Sequence, residues 1–361
     1  MTEQVSKHPY EQLEEEVLKG IVGENEGIPI GLPKLGKYAS FRKRIFTLIF
    51  SSSGAGKSSL IDTMMLNACD DMIGKKEKRA KFILFSMERS KHLRIAKWIT
   101  RKIFIDTGIE IPLPKLLGWW DQKLNKEELE LFQQYREYIS LLLEDYVDIY
   151  EGARTPNEIY HILKEYFKAN GIYEKISEHK TIYLPNDPDK LLIPIIDTGN
   201  LTRTTKDFPT KKQAIDATVA YLQRFRDLEG ASPVWVSQIK REMSTMSRSK
   251  EELFLSIDDV KESGDVGDAC DIAISMMDCA KFKQSSRTGY NPIDFIDKNT
   301  GANYFRDIQI NKSSYGEDSL FIPVSFFGAT GDFKELPRKK DLDEYQYKEL
   351  LDKVLTKKYF L

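Results

Sequence analysis

Residues 45–65 read IFTLIFSSSGAGKSSLIDTMM. An apolar run meets three serines, then Gly54-Ala55-Gly56-Lys57-Ser58, then apolar residues at helical spacing. The glycines let the backbone curl and approach a ligand without Cβ clashes. A helix opening near Lys57 aims free N–H groups and the positive end of its dipole at whatever occupies the curl. A nucleoside triphosphate is the ligand that needs converging amides, a helix N-terminus and a cation together. Lys57 would reach the β- and γ-phosphates and the Ser58 hydroxyl would ligate Mg²⁺. The candidate nucleotide contacts are Ser53, Gly54, Ala55, Gly56, Lys57, Ser58 and Ser59. The usual pattern GxxxxGK[ST] has a first glycine where this chain has Ser51. Serine is less permissive in the tight turn expected there.

Around this loop the chain alternates strands and helices. Near-continuous apolar runs at 44–50, 81–87, 191–196, 233–237, 271–277, 305–311 and 319–327 read as strands covered on both faces. Helical patterns fall at about 57–72, 90–106, 126–146, 156–169 and 211–229. The expected architecture is α/β, a mostly parallel central sheet flanked by helices and ending in an antiparallel C-terminal hairpin. Pro194 inside its strand removes a ladder donor, so a bulge or an edge position is expected there. Residues 8–22 carry Tyr10, Leu13, Val17, Leu18 and Ile21 on one helical face, and a Gly/Pro-rich linker follows. Such a helix must dock its stripe on its own domain or on another subunit. Three units are expected: a linker helix at 1–24, a catalytic domain at 25–335 with a helical insert at about 107–190, and a charged tail helix at 336–361. The insert holds Trp119–Trp120, read as core or subunit packing, with base stacking as the alternative.

Composition bounds the class. The 361 residues are 41% hydrophobic and 30% charged with a net charge of −2, which fits a globular protein without global basicity. Any nucleic-acid surface must therefore be local. No apolar run approaches the roughly 18 residues of a membrane span. The opening MTEQVSKHPYEQLEEE reads as neither signal nor transit peptide, so a cytoplasmic protein is expected, in host cytoplasm if the chain is viral. Cys69, Cys270 and Cys279 are scattered and read as reduced core thiols. The four histidines are isolated, and no zinc site is expected.

A phosphate-binding loop hydrolyses nothing by itself; a group must orient water and an acid must hold the metal. Glu88 follows a strand in FILFSMERS and Asp197 follows one in LLIPIIDTGNL. Both would project at the C-terminal edge of the sheet, where open α/β folds bind ligands. Glu88 is the candidate general base, and Asp197 the carboxylate on the Mg²⁺ side, with Ser58. Gln238, in PVWVSQIKRE, also ends a strand and would sense the γ-phosphate. The order GAGKS, FSMERS, IIDTGNL, VSQIKRE, KESGDVGDACDIAI and IQINKSSYGEDS resembles the RecA-like core of hexameric replicative DNA helicases, the DnaB family, and especially its phage versions. The resemblance covers about residues 25–330 and implies a RecA-like P-loop NTPase: an ATP- and Mg²⁺-dependent helicase that forms a homo-hexameric ring on single-stranded DNA. It assigns catalytic roles to Lys57, Glu88, Asp197 and Gln238, and gives Lys312 the part of a lysine reaching a neighbour's nucleotide. The linker helix would pack on the neighbouring subunit. The family's arginine finger lies two residues beyond that lysine, where this chain has Ser314. Arg306 or another arginine substitutes, or turnover is slow. Primase and loader contacts are open, because the family's separate N-terminal helical domain has no counterpart in the sequence.

Two loops would line the hole of such a ring. LTRTTKDFPTKK carries Arg203, Lys206, Lys211 and Lys212; IKREMSTMSRSK carries Lys240, Arg241, Arg248 and Lys250. Basic, Ser/Thr-rich loops suit tracking of a phosphate backbone without base readout. Two other readings remain: a RecA/RadA-like recombination ATPase that builds filaments, and a nucleotide-gated DNA-binding assembly module with weak ATPase activity.

Overall fold

The computed structural model describes residues 8–23, 25–178, 180–240, 255–261 and 264–360. Strands β1 (Thr47–Ser51), β2 (Ala80–Ser86), β3 (Val147–Glu151), β4 (Gly171–Lys175), β5 (Thr181–Pro185), β6 (Leu191–Asp197), β7 (Val234–Gln238), β8 (Ile272–Met277), β9 (Phe305–Ser313), β10 (Leu320–Phe327) and β11 (Asp332–Glu335) build two sheets. The main sheet runs β11-β10-β9-β8-β1-β7-β6-β2-β3. The pairs from β8 through β3 are parallel, while β8–β9, β9–β10 and β10–β11 are antiparallel. β4 and β5 form a separate antiparallel hairpin.

The helices are α1 (Pro9–Ile21), α2 (Pro33–Ala39), α3 (Lys57–Lys75), α4 (Lys91–Thr107), α5 (Leu113–Leu116), α6 (Lys126–Gln134), α7 (Arg136–Leu141), α8 (Pro156–Ala169), α9 (Lys211–Glu229), α10 (Gly264–Ala269) and α11 (Glu344–Leu355). The alternation of side chains along the strands divides the core. Ile49 packs with α3 residues Leu60, Ile61, Met64 and Met65 on one face. Leu48 and Phe50 pack with Ile159, Leu163 and Phe167 of α8 and Ile215, Val219 and Phe225 of α9 on the other. Cover on both faces explains the unbroken apolar strands.

Three expectations change. The stretch about 107–190 is not wholly helical. The helical pattern of 126–146 breaks at Tyr135 and passes into a π turn at Leu142–Tyr146, and the chain then enters β3, which pairs Phe82↔Val147 through Ser86↔Glu151 at the edge of the main sheet. β3 follows ISLLL without a Gly or Pro, so its apolar residues read as more helix. The tail does carry a helix, but a shorter one: α11 spans Glu344–Leu355, and Leu336, Leu350 and Val354 join a cluster with Phe104, Phe305 and Phe327. Pro194 needs neither an edge nor a bulge. β6 is interior, the Leu192 carbonyl accepts from Ser232 N–H, and the ladder with β7 begins only at Ile195↔Val234. The missing donor falls before that ladder starts.

Trp119 and Trp120 lie outside the core at 41% and 77% exposure, and Tyr10, Leu13, Val17, Leu18 and Ile21 of α1 are all more than half exposed. Cys69, Cys270 and Cys279 are buried free thiols. No helix among the described residues is long and apolar enough to cross a membrane.

Candidate nucleotide-binding site

The parallel strands end together. Ser51 of β1 is level with Gln238 of β7 and Met276 of β8; Ser86 of β2 is level with Asp197 of β6 and Glu151 of β3. The glycine loop opens on this edge. Gly54 and Gly56 have φ of +80° and +112°, conformations that a side chain resists. Ser51 is fully buried, is not among the positive-φ residues, and donates its Oγ to the Ser52 carbonyl at 3.0 Å. The first turn therefore does not demand glycine, and the departure at Ser51 has a local physical reason.

Lys57, the first residue of α3, folds its Nζ back into the loop, 3.1 Å from the Ser51 carbonyl and 2.8 Å from that of Ser52. Burial depresses its pKa to about 8; the charges of Asp197 and Glu88 oppose that shift and the ammonium of Lys281 adds to it. Ser58 Oγ donates to Asp197 Oδ1 at 3.1 Å, joining the hydroxyl and carboxylate expected on the Mg²⁺ side. The other carboxylate oxygen, Oδ2, accepts from Arg94 NH1 at 2.7 Å. Arg94 lies on α4 and is 1% exposed; its Nε and NH2 donate to Asp62 Oδ1 of α3 at 2.9 and 2.7 Å. Burial works against the guanidinium charge, but the two carboxylates outweigh it and raise its pKa. Arg94 thus fixes Asp197 through one oxygen and leaves the other toward Ser58.

Glu88 is exposed, two residues beyond β2. Its turn is pinned by Met87 N–H on the Asp197 carbonyl at 2.8 Å and by Ser86 Oγ on the Arg89 carbonyl at 2.7 Å. Gln238 is half-buried beside Ser51. Asn200, just past Asp197, accepts from Gln238 N–H at 3.0 Å and Ser237 Oγ at 2.9 Å through Oδ1, and donates Nδ2 to the Lys261 carbonyl at 2.9 Å. The ends of β6 and β7 are therefore mechanically joined. Ser59, behind the loop, accepts from Lys97 Nζ at 3.1 Å, and burial lowers the Lys97 pKa to about 8.

Other candidates lie apart. Lys312 pairs with Ala273 near the start of β8, at the opposite sheet edge, and its Nζ donates to the Gly267 carbonyl at 3.0 Å. Ala273 is level with Leu48, three residue steps or about 10 Å short of Ser51 along the strands, and with its Nζ held at the Gly267 carbonyl Lys312 does not meet the loop of its own chain. Ser314 sits at that far edge too, its N–H on the Asp271 carbonyl at 2.9 Å. Arg306 is not a free finger. It is 5% exposed, donates Nε to the Ala55 carbonyl at 3.0 Å and pairs with Asp278 at 3.2 Å. Arg203 and Lys206 are exposed; Lys211 donates to the Thr202 carbonyl at 2.7 Å, Lys212 pairs with Asp216 at 2.7 Å, and Lys240 donates to the Asp258 carbonyl at 2.6 Å. Arg241, Arg248 and Lys250 lie outside the described residues.

Sequence reasoning missed Arg94, Asp62, Asn200 and Lys281, and it considered Arg306 only as a substitute finger, not as a brace on the loop. Asp62 alone left a signal, as a charge inside the otherwise apolar LIDTMM.

The donor set fits Mg²⁺. Among the described residues no group of three or more His, Cys, Asp or Glu forms a cage. One hydroxyl and one carboxylate are what a cation held mainly by phosphates and water takes from a protein.

The architecture is the α/β fold of RecA-like helicase ATPase domains. No protein-family model matches the chain, and no curated protein does. Among solved structures it is similar to the ATPase domain of a phage helicase, with a TM-score of 0.67 and 18% identity over 92% of this chain and 100% of that one. It is also similar to a DnaB-like replicative helicase whose structure was described with its interactions with primase, with a TM-score of 0.66 and 17% identity over 92% of this chain and 68% of that one. At that identity the likeness establishes the fold.

Proposed function

We propose that this chain is the motor of an ATP-driven DNA helicase, acting on single-stranded DNA as a homo-oligomeric ring, a hexamer by resemblance. The observation that carries the reading is the convergence of Lys57, the Ser58–Asp197 pair, Glu88 and Gln238 on one sheet edge. Bound Mg²⁺, held from Ser58 and Asp197, would neutralise charge on the β- and γ-phosphates. Lys57 would turn from the Ser51 and Ser52 carbonyls to the phosphates. Glu88 would accept the proton of a water whose oxygen bonds to the γ-phosphorus as the bond to the ADP oxygen breaks. Loss of the γ-phosphate would be felt at Gln238 and Asp197 and passed through Asn200 to the segments after β6 and β7. Those segments carry the basic residues that would follow a phosphate backbone.

Lys312 and Ser314, at the opposite edge, suit a contact with the next subunit's nucleotide, and the exposed stripe of α1 suits a docking contact on that subunit. A primase partner is proposed by analogy with the DnaB-like protein. The missing arginine at Ser314 favours one second reading, a nucleotide-gated DNA-binding module with weak ATPase activity. ATP turnover with and without single-stranded DNA, unwinding of a forked duplex and native mass decide between them. The helicase reading expects DNA-stimulated turnover that Glu88→Gln abolishes while ATP binding persists. A wild-type chain that binds ATP and DNA without turnover would leave the module.

A further inference from the structure

We propose that Lys281 is a second phosphate-binding cation, supplied in cis, which contacts the terminal phosphate of the triphosphate. The inference rests on the ATPase reading above and adds a residue to it. Lys281 lies just beyond β8, whose C-terminal end is level with that of β1. Its Nζ donates to the Ser53 carbonyl at the tip of the glycine loop, at 3.1 Å, and a Cβ built on Gly54 would stand 3.8 Å from it. The backbone that carries it is tied to the same loop. Asp278 Oδ1 accepts from Lys281 N–H at 3.0 Å and from Asn303 Nδ2 at 2.6 Å; its Oδ2 pairs with Arg306, which holds the Ala55 carbonyl. Two cations from the β8–β9 connection and its following strand therefore grip the loop at Ser53 and Ala55.

The two differ in kind. Arg306 is buried and fully engaged, a brace. Lys281 is exposed, and an exposed lysine that surrenders rotamer freedom to hold one carbonyl gains little stability from it. Its charge nevertheless reaches Lys57, whose pKa it helps to depress. Two ammonium groups thus face one short loop of carbonyls, an arrangement that a polyphosphate neutralises. In the phosphoryl-transfer transition state, charge spreads over the oxygens of the transferred group, and a cation there is worth much in rate. Ser314 supplies none. Lys281 transfers no proton; it acts by charge alone.

The test compares Lys281→Met and Lys281→Arg full-length chains with wild type and with Lys57→Ala. The readouts are calorimetric affinities for MgADP and MgATPγS, steady-state ATP turnover, and the thermal midpoint without nucleotide. The expected result for Lys281→Met is an ADP affinity within about threefold of wild type, an ATPγS affinity lowered about tenfold or more and turnover lowered about a hundredfold, below the 10³–10⁵ of an arginine finger. Lys281→Arg restores most of both, and the midpoints agree. Equal losses for ADP and ATPγS with a lowered midpoint make Lys281 a brace and overturn the proposal, as does no loss for either nucleotide. If wild type binds ATPγS but hydrolyses nothing, the ATPase reading fails, while the difference between ATPγS and ADP still decides Lys281.

Discussion

Nucleotide affinity should fall as pH rises through 8, well below the range where an ordinary lysine titrates. Burial holds the Lys57 ammonium at a pKa of about 8, because the side chain is 7% exposed and its neighbours include the positive charge of Lys281. Phosphate binding needs the protonated form. In the unliganded protein that form becomes scarcer above pH 8, so Kd grows as one plus ten to the power (pH − 8). Kd should be about 10-fold weaker at pH 9 and about 30-fold weaker at pH 9.5 than at neutral pH, approaching a loss of about 1.4 kcal/mol per pH unit. A lysine at its ordinary 10.5 would change Kd by less than about 1.1-fold over that span. ATP binding should also take up close to one proton at pH 9, read by calorimetry in two buffers of different ionisation enthalpy. Lys97 also titrates near 8 and touches Ser59, so it needs its own control. Lys97→Met should keep the slope, whereas Lys57→Met should bind weakly and without pH dependence. A flat Kd from pH 7 to 9.5 with no proton uptake would refute the buried-ammonium account.

Arg94→Met leaves Asp62 and Asp197 facing each other in the interior without their shared cation, so unfolding stability in urea should drop by about 3–5 kcal/mol. Gly56→Ala puts a Cβ 3.1 Å from the rings of Phe326 and Phe333 at a φ of +112°; it should cost about 1–3 kcal/mol in thermal stability and weaken ATP binding. Leu18→Glu with Ile21→Glu, both more than half exposed, should change monomer stability by no more than about 0.5 kcal/mol each while lowering the native mass of the assembly. An oligomer unchanged by that pair would remove α1 from the subunit contact.

The glycine loop, the strand ends at Glu88, Asp197 and Gln238, and the parallel sheet were legible because each is written in contiguous residues. An apolar run, two glycines and a lysine specify a strand, a turn and a helix by local sterics alone. β3 was not legible. Its five residues follow a helical pattern without punctuation, and only pairing with β2, more than sixty residues earlier, makes them a strand. Arg94 was invisible for the same reason at the level of side chains. Its partners lie 32 and 103 positions away, and no local pattern marks a cation destined for burial between two carboxylates.

The sequence by itself therefore marked which residues are candidates for phosphate chemistry and that several of them end strands of one sheet. Tertiary structure decided which of them meet. Strand register brings Ser51 beside Gln238 and sends Lys312 to the far edge, and it lets the β8–β9 connection lay Lys281 and Arg306 on the loop. The physical reason is that backbone conformation follows from neighbours along the chain. The electrostatics of a site depend on distances between groups that only the packed sheet fixes.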